Sequence, residues 1–360
     1  MAGGENIRQN HDPARHRRGL ARVNLFDLTH YLQHNPRSLT PGGRLNPMPD
    51  QQDLTLTAMG NPQPCGTAFA TMVGDEPFFL PIWINHYARF VPKSQLFILV
   101  DGAQRVLPPE AQGCQILTLP HVVPGPGWDR MRWQMITDFT RLLLGRFDVV
   151  VFNDVDEIIV ADPDCGTGLL GLIGRAREVG VISPFAIEVL HRLDLEPNAL
   201  HANAPILSQR GFGRINASYC KPCITARPVT FSLGGHYSNY PTLHLDPHLF
   251  LFHLRFADHT MLLARQANRQ GLMATPEKGT DKGAEGVAGA GWSKGAAEMD
   301  HFLHSFVDAG PPIDTDFSFG WQRAKITKSW VEDVENGIWR HDKLHNRKTY
   351  TIPPRFAAVF

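Results

Sequence analysis

The chain lacks an excess of charge of either sign. Its 360 residues carry 35 Lys+Arg and 35 Asp+Glu, so the formal net charge at pH 7 is zero. Proteins that bind nucleic acid draw much of their affinity from clustered Lys and Arg that neutralise phosphates. The balance therefore argues against nucleic acid as a partner. Hydrophobic residues make up 42% of the chain, which is enough for a folded core and excludes wholesale disorder.

Long hydrophobic runs are also missing. The longest, such as 96–100 and 149–152, have the length of strands and fall far short of the ~18 residues expected of a membrane-spanning helix. No apolar stretch follows the N-terminal arginines to form a signal-peptide core. Cysteine is scarce, and an odd total of five fits no disulfide framework in a chain of this length. We therefore expect a globular, cytoplasmic protein with no integral membrane segment.

Composition divides the chain into four predicted segments. Residues 1–64 are rich in Pro, Asn, Gln, Gly and Arg, which predicts a flexible N-terminal arm. Residues 65–270 carry the regular patterns of a folded domain. Residues 271–298 are rich in Gly and Ala and predict a flexible loop, whose Trp292 is a candidate for a lid over a ligand. Residues 299–360 are predicted to form an irregular C-terminal extension.

Strand and helix patterns alternate within the predicted domain. The segment 77–90 places apolar residues at helical spacing, and so does the segment 128–142. Between and around them lie short apolar runs that predict strands, at 67–73, 95–100, 115–119 and 148–152. This alternation predicts an α/β fold of Rossmann-like architecture, with a mostly parallel sheet flanked by helices.

Acidic residues follow three of the predicted strands, at Asp75, Asp101 and Asp154. Ligands of parallel sheets bind beyond the carboxyl ends of the strands, so this clustering is the first functional signal. Asp154 and Asp156 are two residues apart, and in an extended chain their side chains point to the same side. Paired carboxylates of this kind suit Mg²⁺ or Mn²⁺ bridged to substrate phosphates. The alternative is a solvated turn with ordinary surface acids.

Four segments together resemble the family-2-like glycosyltransferases of the GT-A fold. They are Phe-Phe-Leu-Pro-Ile-Trp-Ile-Asn-His at 78–86, the strand ending in Asp101, the run Val149–Val160 that contains Asn-Asp-Val-Asp-Glu, and His253-Leu254-Arg255. The resemblance covers residues 67–270. It implies transfer of a sugar from a nucleotide-sugar donor to a polysaccharide, lipid-linked or protein acceptor.

The resemblance also implies a metal site. In that family the Asp-x-Asp motif holds a divalent metal on the diphosphate of the donor, which implies a Mn²⁺ or Mg²⁺ cofactor here. Asp156 would bind the metal, and Asp154 would bind the metal or the ribose. A C-terminal histidine often completes the coordination, for which His253 is the first candidate and His236 the second. A histidine satisfied within the core is the alternative for both.

Further residues are candidates for binding the donor. The resemblance assigns Asp75, Glu76 and Asp101 to the nucleoside, because acids after the first two strands contact it in that family. Arg255 lies two residues after His253 and is a candidate for pairing with phosphate, or equally for a structural salt bridge. Arg130 follows a glycine loop at the start of a helix, where an anion can bind.

An inverting transfer needs a base that takes the proton of the acceptor. Candidates after the Asp-x-Asp motif are Glu188, His191, Asp194 and Glu196. Glu188 is the preferred base because it follows the strand predicted at 181–187, and His191 is the second choice. An exposed acid on an irregular segment is the alternative for Glu188.

Two other functions compete with the transferase hypothesis. A haloacid-dehalogenase-like phosphohydrolase would use Asp154 as nucleophile, although in that fold the Asp-x-Asp strand normally comes first. A non-catalytic nucleotide-sugar binding protein would bind the donor without releasing nucleotide. Cys220-x-x-Cys223 has no second pair to complete a zinc site, so it is interpreted as two ordinary reduced cysteines, with Lys221 between them a candidate diphosphate contact.

Overall fold

The computed structural model describes residues 65–102, 106–122, 124, 127–201, 203–272, 294–344 and 347–360. The predicted N-terminal arm, all but a few residues of the predicted Gly/Ala-rich loop, and Trp292 lie outside these ranges. Within them, no helix combines the length and the apolar character that crossing a membrane requires.

Strands and helices alternate through the first part of the described chain. The strands are β1 (Thr67–Val73), β2 (Leu96–Asp101), β3 (Gln115–Leu119), β4 (Val149–Phe152), β5 (Glu157–Ala161), β6 (Val181–Leu190), β7 (Phe212–Ile215), β8 (Ile224–Thr225), β9 (Leu245–Phe256), β10 (Val331–Asp333), β11 (Ile338–Arg340) and β12 (Tyr350–Thr351). The helices are α1 (Phe79–Tyr87), α2 (Trp128–Leu144), α3 (Leu169–Gly174), α4 (Ala176–Val179), α5 (Ile206–Gln209), α6 (His259–Leu272), α7 (Ala296–Asp308) and α8 (Gly320–Lys328).

A large central sheet organises the described residues, with the strand order β12-β7-β6-β8-β4-β1-β2-β3 and β9 joining β5 to β6. The strands β3, β2, β1 and β4 pair in parallel, as do β6 and β9. Antiparallel pairs of β8 with both β4 and β6 connect these two parts. The predicted α/β class, with a mostly parallel sheet flanked by helices, is confirmed.

Burial explains why the central strands are so apolar. Phe69 on β1 is fully buried and lies between Leu96 of β2 and Val151 of β4, since β1 pairs with both strands. All ten residues of β6 are buried. A strand covered on both faces is rich in apolar residues, as these segments are, and Glu188 is the charged exception in β6.

The C-terminal segment is integrated into the sheet more closely than an irregular extension would be. β12 pairs with β7, so the last residues add an edge strand. The Phe356 ring is fully buried, with its centroid 5.4 Å from those of both Phe250 and Phe252 on β9. These contacts join the end of the chain to the hydrophobic core.

The order of the strands creates a natural ligand site. The chain passes from β1 to β2 on one side, whereas β4 joins β1 on the other side. The strand order therefore reverses between β1 and β4, and the crevice beyond their carboxyl ends is where α/β sheets bind ligands. Asp75 and Glu76 follow β1, and Asp154 and Asp156 follow β4.

Candidate functional site

A cavity of about 440 Å³ opens beyond the carboxyl ends of β1, β2 and β4. Six carboxylates line it, namely those of Asp75, Glu76, Asp101, Asp129, Asp154 and Asp156. Five cationic side chains line it as well, namely those of Arg132, Lys221, Arg255, Arg265 and Arg269. The cavity thus brings together most of the residues singled out in the sequence, including Lys221, and adds cations from α2 and α6.

The Asp-x-Asp motif forms a turn between β4 and β5 instead of an extended run. The Asn153 side-chain amide donates to the carbonyl of Glu157, and the Asp156 carbonyl accepts a hydrogen bond from the Leu254 amide at 2.8 Å. These contacts hold the turn against β9. Both Asp154 and Asp156 line the cavity, and a turn brings them there.

Two cations hold Asp154. Arg132 donates to its Oδ1 at 2.9 Å, and the Lys221 ammonium lies 3.1 Å from its Oδ2. Burial opposes ionisation of this carboxyl, yet Lys221 and Arg132 outweigh burial and keep the pKa of Asp154 well below its ordinary value. Asp154 is therefore a carboxylate at neutral pH.

Lys221 also neutralises a second, deeper carboxylate. Its Nζ is 2.5 Å from Oε1 of Glu157, which is completely buried at the start of β5. Burial raises the pKa of Glu157, and the attraction of Lys221 works against that rise. Burial disfavours the Lys221 ammonium, but Asp154 and Glu157 together raise its pKa above the ordinary value. The cation therefore bridges the motif to the core.

Asp156 faces a group of arginines on β9 and α6. Arg265 lies 3.1 Å from Oδ2 of Asp156 and 2.8 Å from Glu76, so one guanidinium links the acids after β4 and β1. Arg269 lies one turn later on the same helix, and Arg255 lies near the end of β9. Burial opposes ionisation of Asp156, but Arg265 and His253 lower the pKa of the carboxyl overall.

His253 lines the cavity, whereas Glu188 does not. The Nδ1 atom of His253 is 3.3 Å from Oε1 of Glu188, and Arg214 holds the other oxygen of that carboxylate. Burial would raise the pKa of Glu188, but Arg214 and His253 lower it to about 2. Glu188 is 1% exposed and is not among the residues that line the cavity. Its contacts suit a residue that positions His253.

His191 and Arg130 do not reach the cavity. The two ring nitrogens of His191 contact the Glu196 carbonyl at 2.6 Å and the His259 amide at 3.1 Å, away from the Asp-x-Asp turn. Arg130 is exposed on α2. Because two residues correspond to about 200° of rotation around a helix, Arg132 points to the cavity from the opposite face.

Asp75, Asp101 and Asp129 also line the cavity. The Asp101 carboxylate lies 3.2 Å from Nδ1 of His121, which follows β3. Asp129 lies in the first turn of α2, 3.9 Å from Arg132, and burial raises the pKa of its carboxyl.

Sequence reasoning missed Arg132, Arg265, Arg269 and Asp129. The i,i+4 spacing of Arg265 and Arg269 places both on one face of a helix, which was a usable signal. No local pattern linked either arginine to Asp156, because that contact spans 109 residues. His236 also lines the cavity; burial lowers its pKa to about 4, and its Nδ1 lies 2.6 Å from the Ser218 carbonyl.

The arrangement does not fit the implied divalent metal. The Oδ1 and Oδ2 atoms of Asp154 already accept from two cations, Oδ2 of Asp156 accepts from Arg265, and Nδ1 of His253 faces Glu188. Within the described ranges, no group of three or more His, Cys, Asp or Glu side chains is placed to hold a metal ion. Cations of the protein instead contact the oxygens of Asp154 and Asp156 that the resemblance assigned to a metal.

Comparisons with known proteins leave the function to be argued from the site. No protein-family model matches the chain, and no curated protein matches it either. Solved structures similar to it include that of S. aureus TarS, with a TM-score of 0.30, 13% identity, and coverage of 75% of this chain and 46% of that chain. Another, described as a mycobacterial protein, has a TM-score of 0.23 and 18% identity over 36% of this chain and 44% of that chain. The chain thus spans less than half the length of both structures, and similarities this low define neither fold nor function. The structure is that of an α/β protein with a cavity lined by charged residues at the switch point of its sheet.

Proposed function

We propose that this protein is a glycosyltransferase that moves a sugar from a nucleoside-diphosphate sugar to a glycan, lipid-linked or protein acceptor. One observation carries the proposal. The Asp154-Val155-Asp156 turn, the acids after β1 and β2, and five cationic side chains line a single cavity at the switch point of the sheet. Acids that accept from sugar and base hydrogen-bond donors, beside cations that attract phosphate, match the two halves of such a donor.

The cations supply what the reaction needs most. Breaking the bond between the sugar and the diphosphate leaves negative charge on the departing oxygen. Fixed positive groups aimed at that charge stabilise the transition state more than the ground state. Arg132 and Lys221 are held in place by Asp154, and Arg265 is held by Asp156 and Glu76. The carboxylates thus orient the cations before the donor binds.

Asp75 and Asp101 are assigned to the nucleoside. Asp75 follows β1, Asp101 is the last residue of β2, and both line the cavity. Carboxylates accept hydrogen bonds from ribose hydroxyls and from base N–H groups. These two carboxylates therefore suit the nucleoside better than the phosphates.

Asp129 is assigned as the base that accepts the proton of the acceptor hydroxyl. It lines the cavity, and burial raises the pKa of its carboxyl. A base with a raised pKa takes a proton more effectively near neutral pH. Glu188 and His191, predicted as bases, lie outside the cavity lining, so Glu188 is assigned the role of positioning His253.

The test is a donor panel. Release of free nucleotide from UDP-, GDP- and CMP-sugars is measured with and without candidate acceptors, in parallel with EDTA, Mn²⁺ or Mg²⁺, which tests the predicted metal requirement. Asp156→Asn removes a carboxylate that orients Arg265. It should reduce turnover by about 100-fold, on the order of the loss of the contact between Arg265 and the transition state. Asp314→Asn is the matched control, because Asp314 is exposed and lies outside the cavity.

Asp129→Asn tests the base separately. It should lower kcat by roughly 10²-fold, the contribution of a positioned base, and leave donor binding intact. The acidic limb of the pH–rate profile should also disappear. Turnover of p-nitrophenyl phosphate that is lost in Asp154→Asn would instead support the phosphohydrolase hypothesis. Donor binding without nucleotide release under every condition would support the non-catalytic binder.

A further inference from the structure

We propose that Arg255, Arg265 and Arg269 form a basic wall that binds the diphosphate of the donor directly, without a divalent metal ion. The inference rests on the proposed function and deepens it, because it names the group that the wall binds.

The three arginines come together from two elements. Arg265 and Arg269 are one helical turn apart on α6, so their side chains lie on the same face. Arg255 comes from the neighbouring strand β9, and its Nη2 donates to Gln266 of α6 at 3.3 Å. All three line the cavity on the side of the Asp-x-Asp turn. A strand and a helix of the core therefore fix the wall.

Charge around the wall favours an anion. Two carboxylates, Asp156 and Glu76, act on Arg269, and two other guanidinium groups act on it as well. Burial and the neighbouring Arg265 and Arg255 lower the pKa of Arg269 to about 10. An anionic ligand would relieve this repulsion, whereas a divalent cation beside the wall would increase it.

Guanidinium geometry suits the ligand. The planar fork of arginine donates two parallel hydrogen bonds to phosphate oxygens, which a lysine ammonium cannot reproduce. Arg265 is held by two carboxylates at 3.1 and 2.8 Å, so its plane is fixed before a ligand arrives. The wall combines this fixed guanidinium with two others that face the same space.

Inorganic pyrophosphate probes the wall without a nucleoside or a sugar. Its binding to the full chain is measured by isothermal titration calorimetry in excess EDTA. Arg269→Gln should weaken binding about tenfold or more, the typical loss of a charge-assisted hydrogen bond. Arg269→Lys keeps the charge but loses the planar fork, so its affinity for pyrophosphate should lie between those of the wild type and Arg269→Gln. Arg141→Gln is the control, since Arg141 is 41% exposed on α2 and lies outside the cavity. Circular dichroism and thermal unfolding confirm that each variant is folded.

The outcomes separate the wall from the proposed function. Pyrophosphate binding in EDTA that Arg269→Gln abolishes and Arg141→Gln spares supports the wall. Binding that appears only after Mn²⁺ or Mg²⁺ is added overturns the wall, while nucleotide release in the donor panel still supports the transferase. Equal binding by the wild type and Arg269→Gln also overturns the wall. Metal-free pyrophosphate binding by the wall without any nucleotide release supports an anion site and counts against the transferase.

Discussion

Lys221→Met removes the cation that lies between Asp154 and Glu157. Its Nζ is 3.1 Å from Asp154 and 2.5 Å from Glu157, and the lysine side chain is 4% exposed. Asp154 keeps Arg132 as a partner at 2.9 Å. Glu157 is completely buried and loses its ion-pair partner, because the other polar contact of its carboxylate is the Asp154 amide at 3.4 Å.

The expected loss of stability follows from this asymmetry. Removing one partner of a buried ion pair costs about 3–5 kcal/mol, because the other charge stays buried without compensation. We therefore expect Lys221→Met to lower the free energy of unfolding by about 3–5 kcal/mol at pH 8. Lys328→Met is the control, since Lys328 is exposed on α8, and it should change stability by no more than about 0.5 kcal/mol.

Glu157→Gln tests whether the unpaired charge of Glu157 causes this loss of stability. In the double variant with Lys221→Met, the unpaired buried charge is gone and an uncharged amide of similar shape replaces it. The double variant should therefore be more stable than Lys221→Met alone by about 2 kcal/mol or more, which is within the range of coupling between residues in contact. Independent effects of the two substitutions would simply add.

The pH dependence has a definite sign. Burial raises the pKa of Glu157 in the folded state, and loss of Lys221 raises it further. The folded state then binds more protons than the unfolded state between the two pKa values, so stability falls as pH rises through that window. The destabilisation of Lys221→Met should thus be smaller at pH 5.5 than at pH 8.

Urea unfolding, followed in parallel by tryptophan fluorescence and circular dichroism, measures these differences. Coincident transitions establish that two states suffice. A loss below about 1 kcal/mol for Lys221→Met at pH 8, no rescue by Glu157→Gln, or the same loss at both pH values would refute the reasoning.

Two further predictions concern the fold, and one concerns the cofactor. Gly235 has φ +64° and its added Cβ would lie 2.2 Å from the Trp133 ring, whereas Gly337 has φ +63° with nothing within 4 Å. Gly235→Ala should therefore lower the free energy of unfolding by about 1–3 kcal/mol more than Gly337→Ala does, which is the usual cost of overpacking. Equal losses in the two variants would contradict the clash. Phe356→Ala should cost about 3–5 kcal/mol, because its ring is fully buried, whereas Trp321→Ala, at 66% exposure, should cost about 0.5 kcal/mol or less in the same titration; a small loss for Phe356→Ala would mean that the C-terminal segment contributes little to the core. Nucleotide release should persist in excess EDTA if protein cations hold the diphosphate, and a complete loss restored by Mn²⁺ would contradict that.

Part of the site was readable from local patterns. The apolar runs of β1, β2 and β4 predicted buried parallel strands, and the acids that follow them predicted where a ligand binds. The strand prediction is confirmed, because strand burial depends on neighbouring residues in the chain. The position of the ligand stays a prediction, and the acids that mark it line the cavity. Asp75, Asp101 and Asp154 were found in this way.

The partners of those acids were not readable, because they depend on long-range contacts. Lys221 reaches Asp154 across 67 residues, and Arg265 reaches Asp156 across 109. The sequence alone suggested two carboxylates in need of a metal ion, since nothing near them in the chain carries a compensating charge. The tertiary structure placed Lys221, Arg132 and Arg265 against them.

Long-range contacts also explain why Glu188 is buried in the core, although its place after a predicted strand made it the preferred base in the sequence. Arg214 pairs with it across adjacent strands. The sequence by itself determined the α/β layering and the acidic edge of the sheet, because apolar periodicity and strand ends are local properties. Only the fold decided which carboxylates face the cavity and which cations neutralise them, because the free energy of a buried charge is set by the groups that packing brings within a few ångströms.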